Sequence, residues 1–179
     1  EDSSFEPIPV DGILSTAFTP MTFGPLESRV LDMVIPALTH VYELVAIDQE
    51  VELGTGLHVT VNADNIEPPL FSDPAESVAG VRVDPAHFPP MDWEAKLLAV
   101  WYTGPFDYHS PAGLPYRITA DTEMAFTEGE QVEVWIGSYS DSNWELVESL
   151  TVTSGALSTP QETLPMFSTL AVVRPLSSP

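Results

Sequence analysis

The sequence predicts an all-β protein, an antiparallel β-sandwich, and three observations support this class. Eighteen prolines are spread from Pro7 to Pro179, and they leave few windows in which a long helix could form. Short runs rich in Val, Ile, Thr, Tyr and Trp lie between them, with alternating or continuous apolar character. Polar or glycine-containing turns separate these runs, as expected for strands joined by hairpins.

Nine runs have the composition and spacing of strands. The clearest is 131–137, where Val132, Val134 and Ile136 alternate with Glu133 and Trp135, as a half-buried strand requires. The predicted strands, in chain order, are 28–35, 41–47, 56–62, 78–83, 96–102, 115–120, 131–137, 144–153 and 169–174.

One predicted strand contains an irregularity. In 144–153 the apolar residues Leu146, Leu150 and Val152 have polar neighbours, but Val147 interrupts the alternation. An extra residue in one strand of an antiparallel pair is the signature of a β-bulge. We therefore expect a bulge at Val147.

The segments between strands are also informative. The polar stretch 138–143 predicts a hairpin loop, and Ser-Gly at 154–155 predicts a strand end. Residues 92–98 have good helix propensity with Asp92 as a candidate N-cap, so we expect one helical turn there. No repeat of fixed period is visible, which argues against a solenoid or propeller.

Proline placement suggests a domain division. Residues 67–74 form the most linker-like stretch, because they are proline-rich and lack periodicity. This predicts two closely packed β units, an N-terminal unit 1–74 and a C-terminal sandwich unit 75–179. The alternative is one continuous domain, 5–175, crossed by a proline-rich excursion.

Charge restricts the classes of partner. Only five residues are Lys or Arg against 27 Asp or Glu, for a formal net charge of −22. Nucleic acid and anionic membrane surfaces bind through clustered Lys and Arg, so neither is expected as a partner. Internal ion pairs are expected at the five cations, which are Arg29, Arg82, Lys96, Arg117 and Arg174.

Two features bear on localisation. The chain begins at Glu1 rather than Met, as a mature chain does after a signal peptide has been removed, and no apolar run approaches the ~20 residues of a membrane span. The expectation is a secreted protein, extracellular or periplasmic. The absence of cysteine is compatible with any redox compartment.

The C-terminal part resembles a known family. Gly113 precedes a strand, the stretch from Glu128 to Trp135 leads into a strand that contains Trp, a Trp-x-x-Val pattern falls at Trp144, and the stretch from Phe167 to Val172 leads into the final strand. Over residues 112–173 this is similar to ZU5-related β-sandwich modules of large exported bacterial proteins. The resemblance implies an extracellular, non-catalytic module used in scaffolding, adhesion or assembly.

Calcium is the best candidate cofactor. Asn62, Asp64 and Glu67, together with Asn65, supply oxygen-bearing side chains directly after a predicted strand. Ca²⁺ takes such oxygen ligands, although the EF-hand spacing is absent. The competing interpretation is an Asx-rich turn without metal.

Aromatic residues are the candidate binding groups. Trp135, Tyr139 and Trp144 could present rings to a partner or a sugar, with Trp135 opposite to its apolar neighbours. Packing between sheets is the competing interpretation, and Trp101 is expected in the core because its strand is apolar.

These observations support a non-catalytic, exported binding or assembly module, a structural subunit or decoration of a larger extracellular or cell-surface structure. Its partner would be a protein. The alternative is a carbohydrate-binding module with calcium support and a glycan ligand. No HExxH or GxSxG motif indicates an enzyme.

Overall fold

A computed structural model describes residues 37–88, 95–121, 123–124, 126–138 and 143–176. Within these ranges the chain is all-β, every strand pairing is antiparallel, and the only helical pieces are short 3₁₀ turns at Ala63–Asn65 and Pro85–His87. The predicted fold class is therefore confirmed. The strands are β1 (His40–Glu43), β2 (Gln49–Glu52), β3 (Leu57–Val61), β4 (Ser77–Val83), β5 (Ala95–Gly104), β6 (His109–Leu114), β7 (Tyr116–Ile118), β8 (Gln131–Ser138), β9 (Asn143–Thr153), β10 (Ala156–Leu157), β11 (Leu164–Met166) and β12 (Thr169–Pro175).

One layer is a seven-stranded sheet in the order β1-β4-β5-β12-β8-β9-β10. The C-terminal strand β12 lies at its centre, where it pairs with β5 on one side and β8 on the other.

None of the helices in the described part of the chain is long and apolar enough to cross a membrane.

The second layer consists of two small sheets, β2-β3-β7 and β6-β11. Only Pro115 separates β6 from β7, and its carbonyl accepts a hydrogen bond from Thr60 of β3 at 2.8 Å. The chain thus passes directly from one small sheet to the other, and both lie on the same side of the large sheet.

The main core fills the space between the two layers. Val134 and Val172 from the large sheet, Val59 from the three-stranded sheet and Met166 from the two-stranded sheet belong to one buried cluster. Trp101 is fully buried in it, as expected, and its indole N–H donates to the carbonyl of Thr55 at 3.0 Å. The arrangement is that of a β-sandwich.

The other face of the seven-stranded sheet, called the outer face below, carries a second buried cluster. Side chains alternate between the two faces of a strand, so Ala171 and Val173 lie opposite to the inward-facing Val172. The cluster comprises Leu38, Ala79, Val83, Phe88, Val100, Tyr102, Trp144, Ala171 and Val173.

Most of the predicted strands are present, with shifted ends. The run 28–35 lies outside the described residues, and each of the other eight overlaps one strand, from β1 for 41–47 to β12 for 169–174. The helical turn predicted for 92–98 is wrong for residues 95–98, which begin β5, while 92–94 are outside the described residues. An apolar stretch between two neighbouring strands outweighs local helix propensity there.

Four strands were missed because their local composition is unfavourable. β6 contains Pro111 and Gly113, β11 contains Pro165, β2 has one apolar residue, and β10 has only two residues. In the described ranges β6 and β11 form a two-stranded sheet, so each has an edge at which proline is tolerated.

The predicted bulge is confirmed. Val134 pairs with Glu148 and Trp135 pairs with Leu146, so Val147 is the extra residue in β9. Its side chain packs against the main core.

Strands from both sides of residue 75 pair within the same sheets, as β1 with β4 and β3 with β7. The division at residue 74 stays a prediction.

Candidate protein-binding surface

Two large apolar side chains project from the loop between β3 and β4. Leu70 is 89% exposed and Phe71 is 105% exposed, the highest values among the exposed large hydrophobic residues. Each lies in the proline-rich stretch 67–74, called the tip loop below. Exposed apolar groups held at a protruding position are typical of contact sites, whereas scattered ones need no explanation.

The tip is a tight turn whose backbone holds Phe71 in an unfavourable conformation. The Ser72 N–H donates to the Pro69 carbonyl at 3.1 Å, so Leu70 and Phe71 are its two central residues. Phe71 has φ of 70°, and Leu70 is not among the residues with positive φ, which is the pattern of a type II turn. That second central position favours Gly or Asn, and a bulky L-residue there costs about 1–2 kcal/mol.

Backbone contacts hold the base of the tip loop. Glu67 and His109 exchange both backbone hydrogen bonds, at 2.8 and 3.0 Å. The Tyr108 hydroxyl donates to the Asp73 carbonyl at 2.7 Å, so both ends of the loop contact the start of β6. Prolines at 68, 69 and 74 further restrict its backbone. The loop is therefore preorganised, which lowers the ordering cost of binding.

Acidic side chains surround the tip. Glu67, Asp73 and Glu76 are exposed at or beside the base of the loop. The Nε2 atom of His109 lies 3.4 Å from Oδ1 of Asp107, so the nearest imidazole already faces a carboxylate. The surface thus combines an apolar tip with a negatively charged rim.

A cleft of about 620 Å³ lies elsewhere, at the β4–β5 edge of the core. Arg82 and Lys96 line it together with Asp84, Asp121 and Glu123. The Arg82 guanidinium is committed to protein contacts, since it bonds Asp121, lies 3.5 Å from Glu123 and stacks over Trp101 at 5.8 Å. Besides the paired Arg82, the cation Lys96 and three carboxylates line the cleft, and this mixture of charges gives the cleft no clear ligand preference.

The expectation of ion pairs at the cations is confirmed for three of the five. Besides Arg82, Arg117 binds Glu50 through two hydrogen bonds of 3.0 and 2.8 Å, and Arg174 binds Glu130 in the same bidentate manner. These bonds lower the pKa of Glu50 and of Glu130. Arg29 lies outside the described residues.

The three predicted aromatic binding residues are not together on an exposed surface. Trp144 is buried on the outer face, where its ring meets Phe88 edge-on at 6.1 Å. Trp135 is half-buried against the same cluster, and its indole N–H donates to Glu133 at 2.9 Å. Tyr139 lies outside the described residues. Trp135 and Trp144 thus take part in packing, and their role in binding stays a prediction.

The predicted calcium residues form a capped turn. The Asn62 side-chain oxygen accepts the Asp64 N–H at 3.0 Å, and its amide donates to Asp48 at 2.8 Å. Glu67 contributes its backbone to the bridge with His109. In the described ranges no three or more His, Asp or Glu side chains are grouped as metal ligands usually are. Calcium binding stays a prediction.

Sequence reasoning did not identify the tip residues. The composition of 67–74 predicts a linker, because the stretch is proline-rich and lacks periodicity. A usable signal was present, however, since Leu70 and Phe71 are adjacent large apolar residues among prolines and carboxylates. Two such residues in a loop have no strand neighbours to cover them, which already suggests exposure.

No known protein family, curated protein or solved structure matches this chain.

Proposed function

We propose that this protein is a non-catalytic binding module that joins a larger extracellular or cell-surface assembly and contacts a protein partner through the tip loop. The exposure of Leu70 and Phe71 at a preorganised turn is the observation that carries this proposal. A loop without a binding role would avoid both the exposed apolar area and the strained backbone at Phe71.

Burial of Leu70 and Phe71 would supply only a part of the binding free energy that a partner needs. Fully burying two large apolar side chains gains about 3–6 kcal/mol, at about 1.5–3 kcal/mol each. Association itself costs about 4–15 kcal/mol, so the tip alone cannot hold a partner. It would act as the anchor of a wider interface, in the way that a few aromatic residues dominate many interfaces.

The charges around the tip define the partner further. Glu67, Asp73 and Glu76 would meet the rim of the partner's site. The complementary surface is an apolar pocket with Lys or Arg around it, which also steers association towards an acidic chain. The extracellular part of the proposal rests on the resemblance of residues 112–173 to ZU5-related modules.

The glycan-binding alternative receives less support. A sugar-stacking platform needs exposed rings, while Trp144 is buried and Trp135 is half-buried. A glycan array with the Trp135→Ala variant as control would test it, and binding that this variant abolishes would favour it over a protein partner.

A pair of variants tests the proposed surface. The partner is first identified by its co-purification with the protein from its own source, and the complex is then reconstituted from purified components. We expect Phe71→Gly to weaken that complex at least tenfold while the melting temperature stays equal or rises, because Gly relieves the positive φ. The matched control is Ile47→Ser, at an apolar position 68% exposed on another loop, which should leave affinity unchanged.

Two results would contradict the proposal. Wild-type affinity for Phe71→Gly would exclude the tip as the contact. If the protein is monomeric in its own source and no other protein co-purifies with it, that result would count against any assembly function.

A further inference from the structure

The tip loop contains one of the two Asp-Pro bonds in the sequence. They are Asp73–Pro74, at the C-terminal side of the tip, and Asp84–Pro85, directly after β4. In such a bond the Asp carboxylate can attack its own carbonyl carbon through a five-membered ring. The leaving group is a proline nitrogen, which is more basic than the nitrogen of other peptide bonds. Both bonds therefore contain the groups needed for cleavage without a separate enzyme.

The carbonyl of the Asp73–Pro74 bond accepts a hydrogen bond from a side chain. The Tyr108 hydroxyl donates to the Asp73 carbonyl oxygen at 2.7 Å, and the Tyr108 ring packs against the main core. This oxygen is the atom on which negative charge develops when a nucleophile attacks the carbonyl carbon. A donor held against it stabilises that charge, as in the oxyanion holes of hydrolases. The contact at the base of the tip loop is thus suited to promote cleavage of this bond.

The two Asp-Pro bonds differ in the state of their carboxylates. Asp73 is exposed, and within the described ranges no hydrogen bond or ion pair holds its side chain. At Asp84 the carboxylate is occupied, since its Oδ1 accepts the Ala86 N–H at 2.9 Å. The Asp84 carbonyl accepts the His87 backbone N–H at 2.9 Å, and a peptide N–H is a weaker acid than a phenol. The first bond therefore has the freer nucleophile and the stronger donor.

We propose that Asp73–Pro74 is a self-cleavage site, with the Asp73 carboxylate as nucleophile and the Tyr108 hydroxyl as oxyanion donor. One carboxylate oxygen forms a bond to the Asp73 carbonyl carbon, and the C–N bond to Pro74 breaks. The electron pair of that bond stays on the proline nitrogen, which takes a proton from solvent. One water molecule then hydrolyses the cyclic anhydride to two carboxyl groups. The products are a C-terminal Asp73 and an N-terminal Pro74.

The fragments should remain associated after cleavage. Strands before the cut pair with strands after it, as β1 with β4 and β3 with β7. The cut opens the tip loop beside its turn, so Leu70 and Phe71 then lie close to a free C-terminus. The loop loses its preorganisation, which weakens partner binding. This last consequence rests on the proposed function, whereas the cleavage itself does not.

Incubation of the purified full chain tests the proposal. The protein is kept at about pH 5, where protonation of the leaving nitrogen is easier than at neutral pH, and circular dichroism verifies that it stays folded. Denaturing electrophoresis and intact-mass measurement follow fragments 1–73 and 74–179, and fragments 1–84 and 85–179. We expect cleavage at Asp73–Pro74 to be at least tenfold faster than at Asp84–Pro85. In urea that unfolds the chain, the two rates should become similar, because the Tyr108 contact is lost.

Variants separate the nucleophile from the donor. Tyr108→Phe keeps the ring against the core and removes the hydroxyl, so it should slow cleavage at Asp73–Pro74 at least tenfold and leave Asp84–Pro85 unchanged. Asp73→Ala should abolish cleavage at its position. The matched control is Tyr42→Phe, which removes a hydroxyl from a half-buried ring in β1 and should leave both rates unchanged.

Each alternative result overturns the proposal. Equal rates at the two bonds in the folded protein, or a preference that persists in urea, would show that the fold does not promote cleavage. A wild-type rate for Tyr108→Phe would exclude its hydroxyl as the donor, and an intact folded chain would exclude self-cleavage. Because the assay contains no partner, its failure is distinguishable from failure of the tip loop as a binding surface.

Discussion

Two buried tyrosines differ in what their hydroxyl groups contact. The Tyr116 hydroxyl donates to Glu148 at 2.6 Å, whereas the Tyr102 hydroxyl has no hydrogen-bond partner within the described part of the chain. Burial raises the pKa of Tyr102 to about 12, and burial together with the Glu148 carboxylate raises that of Tyr116. The same residue type therefore has opposite energetic roles at the two positions.

Removing each hydroxyl should change stability in opposite directions. We expect Tyr102→Phe to leave the free energy of unfolding unchanged or to raise it by up to about 1 kcal/mol, since a desolvated hydroxyl without a partner is removed. Tyr116→Phe should lower it by about 1–3 kcal/mol, because a bond to a charged acceptor is lost. Urea unfolding of both variants measures this, and equal losses would contradict it.

The ion pair of Arg174 and Glu130 should contribute to the pH dependence of stability. Glu130 is 11% exposed at its side chain, and the bond from Arg174 holds its pKa below the ordinary 4.5. Because the folded-state pKa is lower than the unfolded one, the stabilisation is complete above about pH 4.5. It is lost as the pH falls through the folded-state value.

Glu130→Gln isolates this contribution from the rest of the acid titration. The difference in unfolding free energy between wild type and variant should be constant above about pH 5 and should shrink towards zero at lower pH. Urea unfolding at a series of pH values measures the difference. A difference that is the same at pH 3 and pH 7 would show that the pair does not titrate as described.

At the scale of elements, the two layers meet closely where the β2–β3 hairpin crosses β4. A Cβ atom at Gly80 in β4 would lie 2.6 Å from the backbone oxygen of Leu53, and its other nearest atoms also belong to Leu53. Backbone cannot rotate aside as a side chain does. The absence of a side chain at Gly80 therefore allows this hairpin to pack on the large sheet.

Gly80→Ala should destabilise the fold more than replacement of a strained glycine in open space. We expect a loss of about 2–3 kcal/mol from forced separation of the layers. Gly155, with φ of 74° and no atom within 4 Å, is the matched control, and Gly155→Ala should cost about 1 kcal/mol through backbone strain alone. An equal or smaller loss for Gly80→Ala in chemical denaturation would contradict the close-approach argument.

For the whole molecule, repulsion between carboxylates opposes folding. The sequence has 27 acidic and five basic residues, and three of the cations already pair with carboxylates. Salt weakens both the repulsion and these pairs, but the unpaired acids are far more numerous. The repulsion therefore determines the sign of the salt effect.

We expect the melting temperature to rise as NaCl increases from 0.01 to 0.5 M, by roughly 3 °C for each kcal/mol of relieved repulsion. Scanning calorimetry checks the direction, and a fall would show that the ion pairs dominate. CaCl₂ at equal ionic strength provides a comparison. An additional rise that Asp64→Asn abolishes would support the predicted calcium site.

The sequence by itself determined the fold class, eight of the described strands and the bulge at Val147. These features depend on local information, because strand alternation has a period of two residues and turns require particular residue types. The strand end predicted at Ser154–Gly155 is an example, since both residues have positive φ and both types are frequent in turns.

Only the tertiary structure decided which apolar and aromatic side chains are exposed to solvent. Trp144 and Trp135 were candidates for a binding face and instead pack at the outer face, while Leu70 and Phe71 of a presumed linker are the most exposed large apolar residues described. Exposure depends on which distant segments pack over a side chain, and no local pattern contains that information.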